Sequence, residues 1–343
     1  SIADEVTQFE YYATDQLKKI TYPDGKTQQY FYDAEGRLTS GIDPNGNNTV
    51  YEYYNDNRLY KVNHKRPNLA DLVFTYSYDA VGRLYEIAYP ATSGIVARFY
   101  DTSNNSGWDA ADQLIWLRYT KNGNPLLSFH YYYDDSGNRI QMDQIANGVS
   151  NTWTYGYDWL NRLTSVTKNG TLEVSYQYDE SDNRVQEVRG ANTRVFTYDA
   201  ADQLLQQTLN GSVVETHQHN LDGQMTSRVA GGSTTKYSWD QSGNLKRIDG
   251  ATTGSEQIYD TNGIRKLTNG KSFYSSGGIS VADSDSVNVS YMQGHVLLGS
   301  TAGSNVVYYL TDGLSSVKML CDGTGALQAT LDYGEYGQQS ASS

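Results

Sequence analysis

A seven-residue motif recurs twelve times along this chain of 343 residues. A typical copy reads aromatic, Asp, two variable residues, Gly, Arg and Leu, as in the stretch from Tyr32 to Leu38. Successive copies begin 20 to 30 residues apart, a period typical of a tandem array of one supersecondary unit. The copies begin at Tyr11, Tyr32, Tyr53, Tyr78, Trp108, Tyr133, Tyr157, Tyr178, Tyr198, His219, Trp239 and Tyr259.

The residues around each motif predict a β-hairpin. Upstream, aromatic rings alternate with polar residues, as at Tyr155 and Tyr157, and a period of two places them on one face of a strand. The Asp can accept backbone N–H groups in a turn, and the Gly three residues later adopts positive φ at little cost. A second short strand then ends at a signal such as Asn169-Gly170, the strongest short hairpin signal.

Repetition of this hairpin predicts the fold class. Two strands per unit give about two dozen antiparallel strands, without a helical period between them. Because strand twist accumulates, a sheet this wide should curl or spiral. We therefore predict an all-β fold in which tandem hairpins form one long antiparallel sheet that curls into a shell. The repeat array is expected over residues 1–270, and residues 271–343 are expected to continue the same sheet.

Composition narrows the classes of protein and partner. The chain has 31 Tyr residues and a mean hydropathy of −0.64, which suits a thin or hollow sheet with partly wet faces better than a thick aliphatic core. Its net charge is −13 and its 26 Lys and Arg residues are dispersed, so nucleic acid is not an expected partner. No apolar run reaches the length of about 18 residues that a membrane span needs. The single Cys321 cannot form an internal disulfide, and we expect a free, half-buried thiol.

The residues that could carry chemistry favour a structural interpretation. Common motifs of hydrolases, phosphate-binding loops and zinc proteases are absent. His217 and His219 share a strand face and could chelate a metal ion, but packing is the favoured interpretation because no third ligand is evident. The acidic stretch 283–286 departs from a calcium-binding loop. We therefore expect no catalytic residue, no metal and no cofactor.

The repeated carboxylates and rings are interpreted as parts of the hairpins. Identical carboxylates in every unit fit turn formation better than acid–base catalysis, which needs two distinct environments. The Tyr rows could stack on sugars, although cross-strand packing is favoured. The Arg or Asn after each turn Gly is expected to pair with a turn Asp of an adjacent unit, as a charge ladder. The residues assigned to the motif are Tyr32, Asp33, Gly36, Arg37, Tyr78, Asp79, Gly82, Arg83, Tyr157, Asp158, Arg162, Tyr178, Asp179, Tyr198, Asp199, Trp239, Asp240 and Gly243.

The array resembles the RHS family, whose units are called YD repeats after their Tyr-Asp pair. The resemblance extends from about Tyr11 to Tyr259, and residues 308–337 are similar to the RHS-associated core that ends such arrays. The chain departs from the core pattern at Gly313, where family members have His, and at Ser315, where they have Gly. The residues assigned to the core-like segment are Tyr309, Thr311, Asp312, Leu314, Ser316, Asp332, Tyr336 and Gly337.

The resemblance implies a function for the chain. In the family, the repeats form a hollow shell, the core plugs one end, and a variable toxin domain lies inside. The implied function is a non-enzymatic shell segment, secreted or at the cell surface, that encloses or presents a toxin or effector polypeptide of its parent protein. The alternative is an extracellular adhesion module of the teneurin type that binds carbohydrate or another cell.

One property of the family is not expected here. Many RHS proteins cut themselves after the core with aspartates around an Asp-Pro-x-Gly motif. The matching residues of this chain are Gly334, Glu335, Tyr336 and Gly337, so both the Asp and the Pro are missing. We therefore predict that the chain does not cleave itself.

Overall fold

A computed structural model describes residues 7–22, 24–100, 107–250, 288–334 and 337 in full. It also describes the backbone of residues 254–259, 265–268, 271–276, 279–283 and 339–340. Every regular element in this part of the chain is a β-strand, and the strand pairs given below are antiparallel. The predicted all-β class is confirmed. These described residues include no helix that could cross a membrane.

The strands follow one another closely along the chain. They are β1 (Gln8–Tyr11), β2 (Leu17–Thr21), β3 (Thr27–Tyr32), β4 (Leu38–Ile42), β5 (Asn48–Tyr53), β6 (Leu59–Lys65), β7 (Leu72–Tyr78), β8 (Leu84–Ala88), β9 (Ile95–Arg98), β10 (Trp116–Lys121), β11 (Asn124–Tyr133), β12 (Arg139–Ala146), β13 (Val149–Tyr157), β14 (Leu163–Lys168), β15 (Thr171–Tyr178), β16 (Arg184–Arg189), β17 (Asn192–Tyr198), β18 (Leu204–Leu209), β19 (Ser212–His219), β20 (Met225–Ala230), β21 (Ser233–Trp239), β22 (Leu245–Asp249), β23 (Gly254–Tyr259), β24 (Arg265–Thr268), β25 (Lys271–Ser276), β26 (Ile279–Asp283), β27 (Val289–Gln293), β28 (Leu297–Ala302), β29 (Asn305–Thr311), β30 (Val317–Asp322), β31 (Leu327–Thr330), β32 (Asp332–Tyr333) and β33 (Gln339–Ser340).

The chain divides into two compact units. Unit one contains residues 1–130, 144–149 and 272–343, and unit two contains residues 131–143 and 150–271. In unit one, β1 to β11 pair in sequence, and so do β25 to β31. In unit two, β13 to β24 do the same. The predicted boundary at residue 270 stays a prediction, because residues 269–270 lie outside the described part.

A β-bulge marks the start of the motif in most hairpins. The strand register shifts by one residue between Phe31 and Tyr32, between Ser77 and Tyr78, and at the equivalent place in other copies. We number the motif from its aromatic residue, position one, to its final Leu or equivalent, position seven. Position one then pairs with position seven, as Tyr78 does with Leu84. The bulge therefore fixes the register of the turn in each unit.

Unit one has a closely packed core between two layers. Its repeat strands bury rings such as those of Phe74, Tyr89 and Tyr119, while β27 to β30 bury Met292, Leu298, Tyr308, Leu310, Met319 and Cys321. The rings of Phe74 and Tyr89 lie edge to face against Tyr308, at centroid distances of 6.1 and 5.6 Å. The C-terminal segment, residues 288–334, thus covers a face of the N-terminal repeats, β1 to β10, within this unit.

Cys321 differs from its expected state in one respect. The thiol is free as predicted, but its side chain is fully buried and not half-buried. Burial raises the pKa of the Cys321 thiol to about 11. Since the thiolate is the reactive form, this cysteine is a packing residue of the core.

Unit two has a thinner core. Val166, Val174 and Tyr176 form a buried cluster, and partly buried rings of Trp153 and Tyr155 pack against it. Most other side chains of its strands are half-buried or exposed. Half-exposed Tyr and Trp rings therefore supply much of its packing, in agreement with the high tyrosine content of the chain.

Candidate functional site

The Asp at position two of the motif organises the turn. In the fourth copy, Asp79 Oδ1 accepts the backbone N–H groups of Val81 at 3.1 Å and of Arg83 at 2.8 Å. Asp79 Oδ2 accepts the Arg83 guanidinium Nε at 2.8 Å. The copies at Asp33 and Asp158 repeat this arrangement with Arg37 and Arg162. The carboxylate therefore caps its own turn, as the spacing predicted.

These hydrogen bonds lower the pKa of the turn Asp carboxyl groups. Desolvation opposes ionisation of Asp79, but the Arg83 side chain and the backbone N–H groups outweigh it and lower the pKa of Asp79. The balance is the same for Asp33 and Asp158. In the copy at Asp134, the Asn138 side chain is the main cause of a lowered pKa. Such carboxylates stay ionised and do not suit a proton-transfer role.

The residue at position five has a left-handed backbone conformation in every described copy. Gly36 and Gly82 have φ values of 82° and 97°. Where the Gly is replaced, Asn161 and Asp182 adopt φ of 63° and 66°. Among non-glycine residues, Asn and Asp tolerate this region best. The drift of the motif at this position therefore preserves the turn.

The side chain at position six joins a unit to the next one in several copies. We predicted that this Arg or Asn would pair with a turn Asp of the adjacent unit. Arg162 binds its own Asp158, and its Nη1 also reaches the adjacent turn at position five, Asp182 Oδ1, at 2.7 Å. Arg83 reaches Asp112 in the same way at 3.0 Å. The same Nη1 atoms also donate to the backbone C=O groups at position two of the next copy, Asp179 and Asp109. In these two copies the expected pairing with a turn Asp of the adjacent unit is present, and the carboxylate involved is that of position five.

The aromatic residue at position one forms the second link between units. Tyr178 Oη donates to the backbone C=O of Leu163 at 2.8 Å, so the hydroxyl of one unit binds position seven of the preceding unit. Trp239 makes the same bond to Met225 O through Nε1 at 2.7 Å. Sequence analysis missed this contact. At least seven described copies make it, those of Tyr53, Tyr78, Trp108, Tyr157, Tyr178, Tyr198 and Trp239.

The C-terminal segment contains two further copies of the turn that sequence analysis did not recognise. Asp312 Oδ1 accepts the N–H groups of Leu314 and Ser316, at 2.9 and 3.0 Å, and Ser315 has φ of 65° at position five. Asp322 caps a turn that ends at Ala326 in the same manner. The aromatic residue is replaced by Thr311 and Cys321 in these copies. The spacing of Asp and the residue with positive φ was the signal that could have found them.

Other core-like residues take different positions. Tyr309 donates from Oη to Ser300 Oγ at 2.8 Å, and its C=O accepts Tyr89 Oη at 3.1 Å. Thr311 N donates to the buried Tyr119 hydroxyl at 3.1 Å. The Leu314 side chain is exposed at the turn, as are Asp332 and Gly337. Tyr336 lies outside the described residues.

Two histidines lie where the C-terminal segment meets the repeats of unit one. His64 is buried, with Nδ1 at 2.9 Å from Thr49 Oγ1 and Nε2 at 3.5 Å from Thr301 Oγ1. Burial lowers the pKa of His64 to about 4, so the ring is neutral near pH 7. His295 Nε2 lies 2.6 Å from Tyr78 Oη. Both histidines connect the two layers.

The candidate metal ligands have other contacts. His217 is buried with Nε2 at 3.1 Å from Glu215 Oε1, and Glu215 is held by the Arg228 guanidinium at 2.5 and 2.8 Å. Burial lowers the pKa of His217. Nowhere in the described ranges do three or more His, Cys, Asp or Glu side chains form a group suited to a metal ion. The acidic stretch 283–286 lies outside the residues whose side chains are described.

Comparisons with known families agree with this architecture. Residues 11–47 match the family described as RHS Repeat, and residues 103–343 match the family described as Teneurin YD-shell. The second match covers well over half of the chain.

Similar curated proteins are much longer than this chain. The chain is 31% identical over 169 residues to the tRNA nuclease WapA of Bacillus subtilis (strain 168). It is 30% identical over 169 residues to the tRNA3(Ser)-specific nuclease WapA of Bacillus spizizenii. In both cases the match covers 48% of this chain and 6% of the relative.

Solved structures show the same fold. A crystal structure of TcdB2-TccC3-TEV matches 98% of this chain and 20% of that chain with a TM-score of 0.67 at 15% identity. The Photorhabdus luminescens Tc holotoxin pore matches 92% of this chain and 18% of that chain with a TM-score of 0.64 at 16% identity. These likenesses establish an RHS-type fold and no activity.

Proposed function

Because the chain belongs to the teneurin YD-shell family, we propose that it is a non-enzymatic segment of a protein shell that encloses or presents a polypeptide of the same parent protein. Its role is to form one section of the enclosing β-sheet. Its partner is a toxin or effector domain, and its place is outside the cell or at the cell surface.

One observation carries the proposal: the repeated polar side chains bind neighbouring turns and strands instead of converging on a reactive centre. Arg162 contacts its own turn through Asp158 and the next turn through Asp182. Tyr178 adds a bond to the backbone of the preceding unit. Groups used in this way join successive hairpins along the sheet, and contacts between neighbouring units are what stabilise a long repeat array.

The activities of the longer relatives are not assigned to this chain. The WapA proteins are nucleases by name, and the chain corresponds to a small share of their length. The Asp carboxylates of the repeats are ionised turn caps with lowered pKa values, as at Asp158. We therefore propose that any catalytic activity belongs to another segment of the parent protein.

The test is protection of that segment from protease. In the intact parent, the enclosed polypeptide should be digested at least 10-fold more slowly than the same polypeptide alone. A triple variant, Tyr157→Phe, Tyr178→Phe and Tyr198→Phe, loses three inter-unit bonds and should reduce the protection. Tyr60→Phe, at an exposed ring, serves as the control. Equal digestion of the enclosed and isolated polypeptides would reject the shell function.

Adhesion is the second candidate function. Trp159 is 86% exposed at a turn in unit two, beside the exposed Leu160. Exposed aromatic rings of this kind stack on sugars and anchor protein interfaces. The rings of Trp108 and Tyr131 are less suitable for such a role, because Trp108 binds Leu84 O and Tyr131 is buried. Binding on a glycan array that is lost in Trp159→Ala but kept in Val81→Ala would favour adhesion.

A further inference from the structure

A polar cavity lies in unit one between the N-terminal repeats and the C-terminal segment. Its volume is about 450 Å³, and its lining includes Lys26, Asn45, Asn47, Arg66, Asn288 and Thr301. Cavities of a few hundred Å³ with a few convergent polar groups are typical of small-molecule sites. The cavity is distinct from the repeated turns described above.

The charge of this cavity is opposite to that of the protein. The chain has a net charge of −13, yet Lys26 and Arg66 line the cavity, and no acidic side chain among the described residues does so. Two carboxylates lie nearby but outside the lining: Asp43 Oδ1 accepts the N–H groups of Asn45 and Asn47, both at 2.9 Å, and Asp71 accepts Asn63 Nδ2 at 2.9 Å and attracts the Arg66 charge. An anion inside the cavity would therefore contact two cationic side chains and no carboxylate of the described residues.

Arg66 has hydrogen-bonding capacity that the protein does not use. Its Nε and Nη2 donate to Ala70 O at 3.2 and 2.7 Å, which fixes the guanidinium plane. Its Nη1 is buried and has no hydrogen-bond partner among the described residues. Desolvation is the main influence on this group and lowers the pKa of Arg66. The described residues therefore leave the Arg66 charge without a bound carboxylate, and an anion in the cavity that Arg66 lines would stabilise this charge.

The opposite wall is held in place by contacts between distant segments. Asn45 Nδ2 donates to Val289 O at 3.1 Å and to Ser290 Oγ at 2.8 Å, while Asn45 Oδ1 accepts Lys26 Nζ at 3.3 Å. Thr301 Oγ1 lies 3.5 Å from His64 Nε2. The side chains around the cavity are thus preorganised, which lowers the entropic cost of binding a small ligand.

We propose that this cavity binds a compact oxyanion, a phosphate, sulfate or carboxylate group, either free or carried on a sugar. Arg66 and Lys26 supply the charge, and Thr301 and Asn288 supply polar contacts, while Asn45 and Asn47 hold the wall in place. The volume exceeds that of a bare phosphate, which leaves room for a sugar ring beside Pro67 and Leu69.

Calorimetric titration of the full chain at constant ionic strength tests the proposal. The probes are inorganic phosphate, inorganic sulfate, glucose 6-phosphate and glucose, with chloride as the balancing anion. We expect saturable binding of one oxyanion probe per chain and none of glucose. Tighter binding of glucose 6-phosphate than of phosphate would identify a sugar-linked ligand, whereas equal affinity would identify a bare oxyanion.

Matched variants locate the site. Arg66→Gln and Lys26→Gln should each weaken binding at least 10-fold, while Lys65→Gln, an exposed neighbour outside the cavity, should leave it unchanged. If Arg66→Gln does not fold, the Arg66 Nε–H resonance of the unaltered protein replaces it and should shift on phosphate titration. Absence of saturable binding by every oxyanion, or equal binding by the Lys26 and Lys65 variants, would overturn the proposal.

Discussion

The hydroxyl of Tyr53 donates to the backbone C=O of Leu38 at 2.8 Å, from one repeat unit to the unit before it. The Arg37 guanidinium lies over the Tyr53 ring, 5.1 Å from its centroid. Ring, hydroxyl and cation thus meet at one junction between two hairpins. The same junction recurs at Tyr178 with Arg162 and at Tyr78 with Arg58. It explains why Tyr suits position one better than Phe.

Removal of one such hydroxyl should destabilise its junction. Tyr178→Phe leaves Leu163 O without its side-chain donor, and the expected loss in the free energy of unfolding is about 1 kcal/mol. Repeat arrays can unfold locally, so hydrogen exchange of β14 and β15 is the suitable measurement. Tyr60→Phe, at an exposed ring, should change exchange little. Equal effects of the two variants would contradict the role of the hydroxyl.

Acid should weaken the turns. The pKa of Asp158 is lowered in the folded protein, so its contribution to stability is fully present above the usual carboxyl range and is lost as pH falls through the folded-state pKa. We expect the melting temperature to fall from about pH 4 downward, and less steeply for Asp158→Asn, which keeps an acceptor oxygen but does not titrate. Glu173→Gln at an exposed site is the control. An unchanged slope in Asp158→Asn would argue against this cap.

Position five should reject residues that avoid positive φ. Gly82 has φ of 97°, so Gly82→Ala is expected to cost about 1 to 2 kcal/mol in the free energy of unfolding. Val81→Ala alters the adjacent exposed residue and should be nearly neutral. Urea denaturation of both variants measures the difference. A neutral Gly82→Ala would mean that the turn can take another conformation.

Tyr119 should hold the C-terminal segment against the repeats of unit one. Its buried hydroxyl accepts Thr311 N at 3.1 Å, so Tyr119→Phe leaves a buried N–H unpaired at an expected cost of about 1 to 3 kcal/mol. Hydrogen exchange of β29 should accelerate while that of β14 stays unchanged. Tyr11→Phe, at an exposed ring, is the matched control. Unaltered exchange of β29 would reject this role.

Local features of the fold could be predicted from the sequence because their causes are local. The turn at Asp79 depends on the carboxylate, on the N–H groups two and four residues later, and on Gly82. All of these lie within one heptad. The hidden turns at Asp312 and Asp322 obey the same physics and were missed because the aromatic residue was used as the signal.

The sequence by itself determined the strand order, the turns and the antiparallel pairing, since each depends on residues a few positions apart. The tertiary structure alone decided that Arg162 reaches position five of the next unit, that Tyr178 binds the carbonyl of the previous one, and that Arg66 lines a cationic cavity. The first two depend on the register between hairpins. The cavity depends on the approach of segments more than 200 residues apart, as Asn45 and Ser290 show. No short-range pattern encodes such an approach, because it results from burial of apolar side chains supplied by both segments.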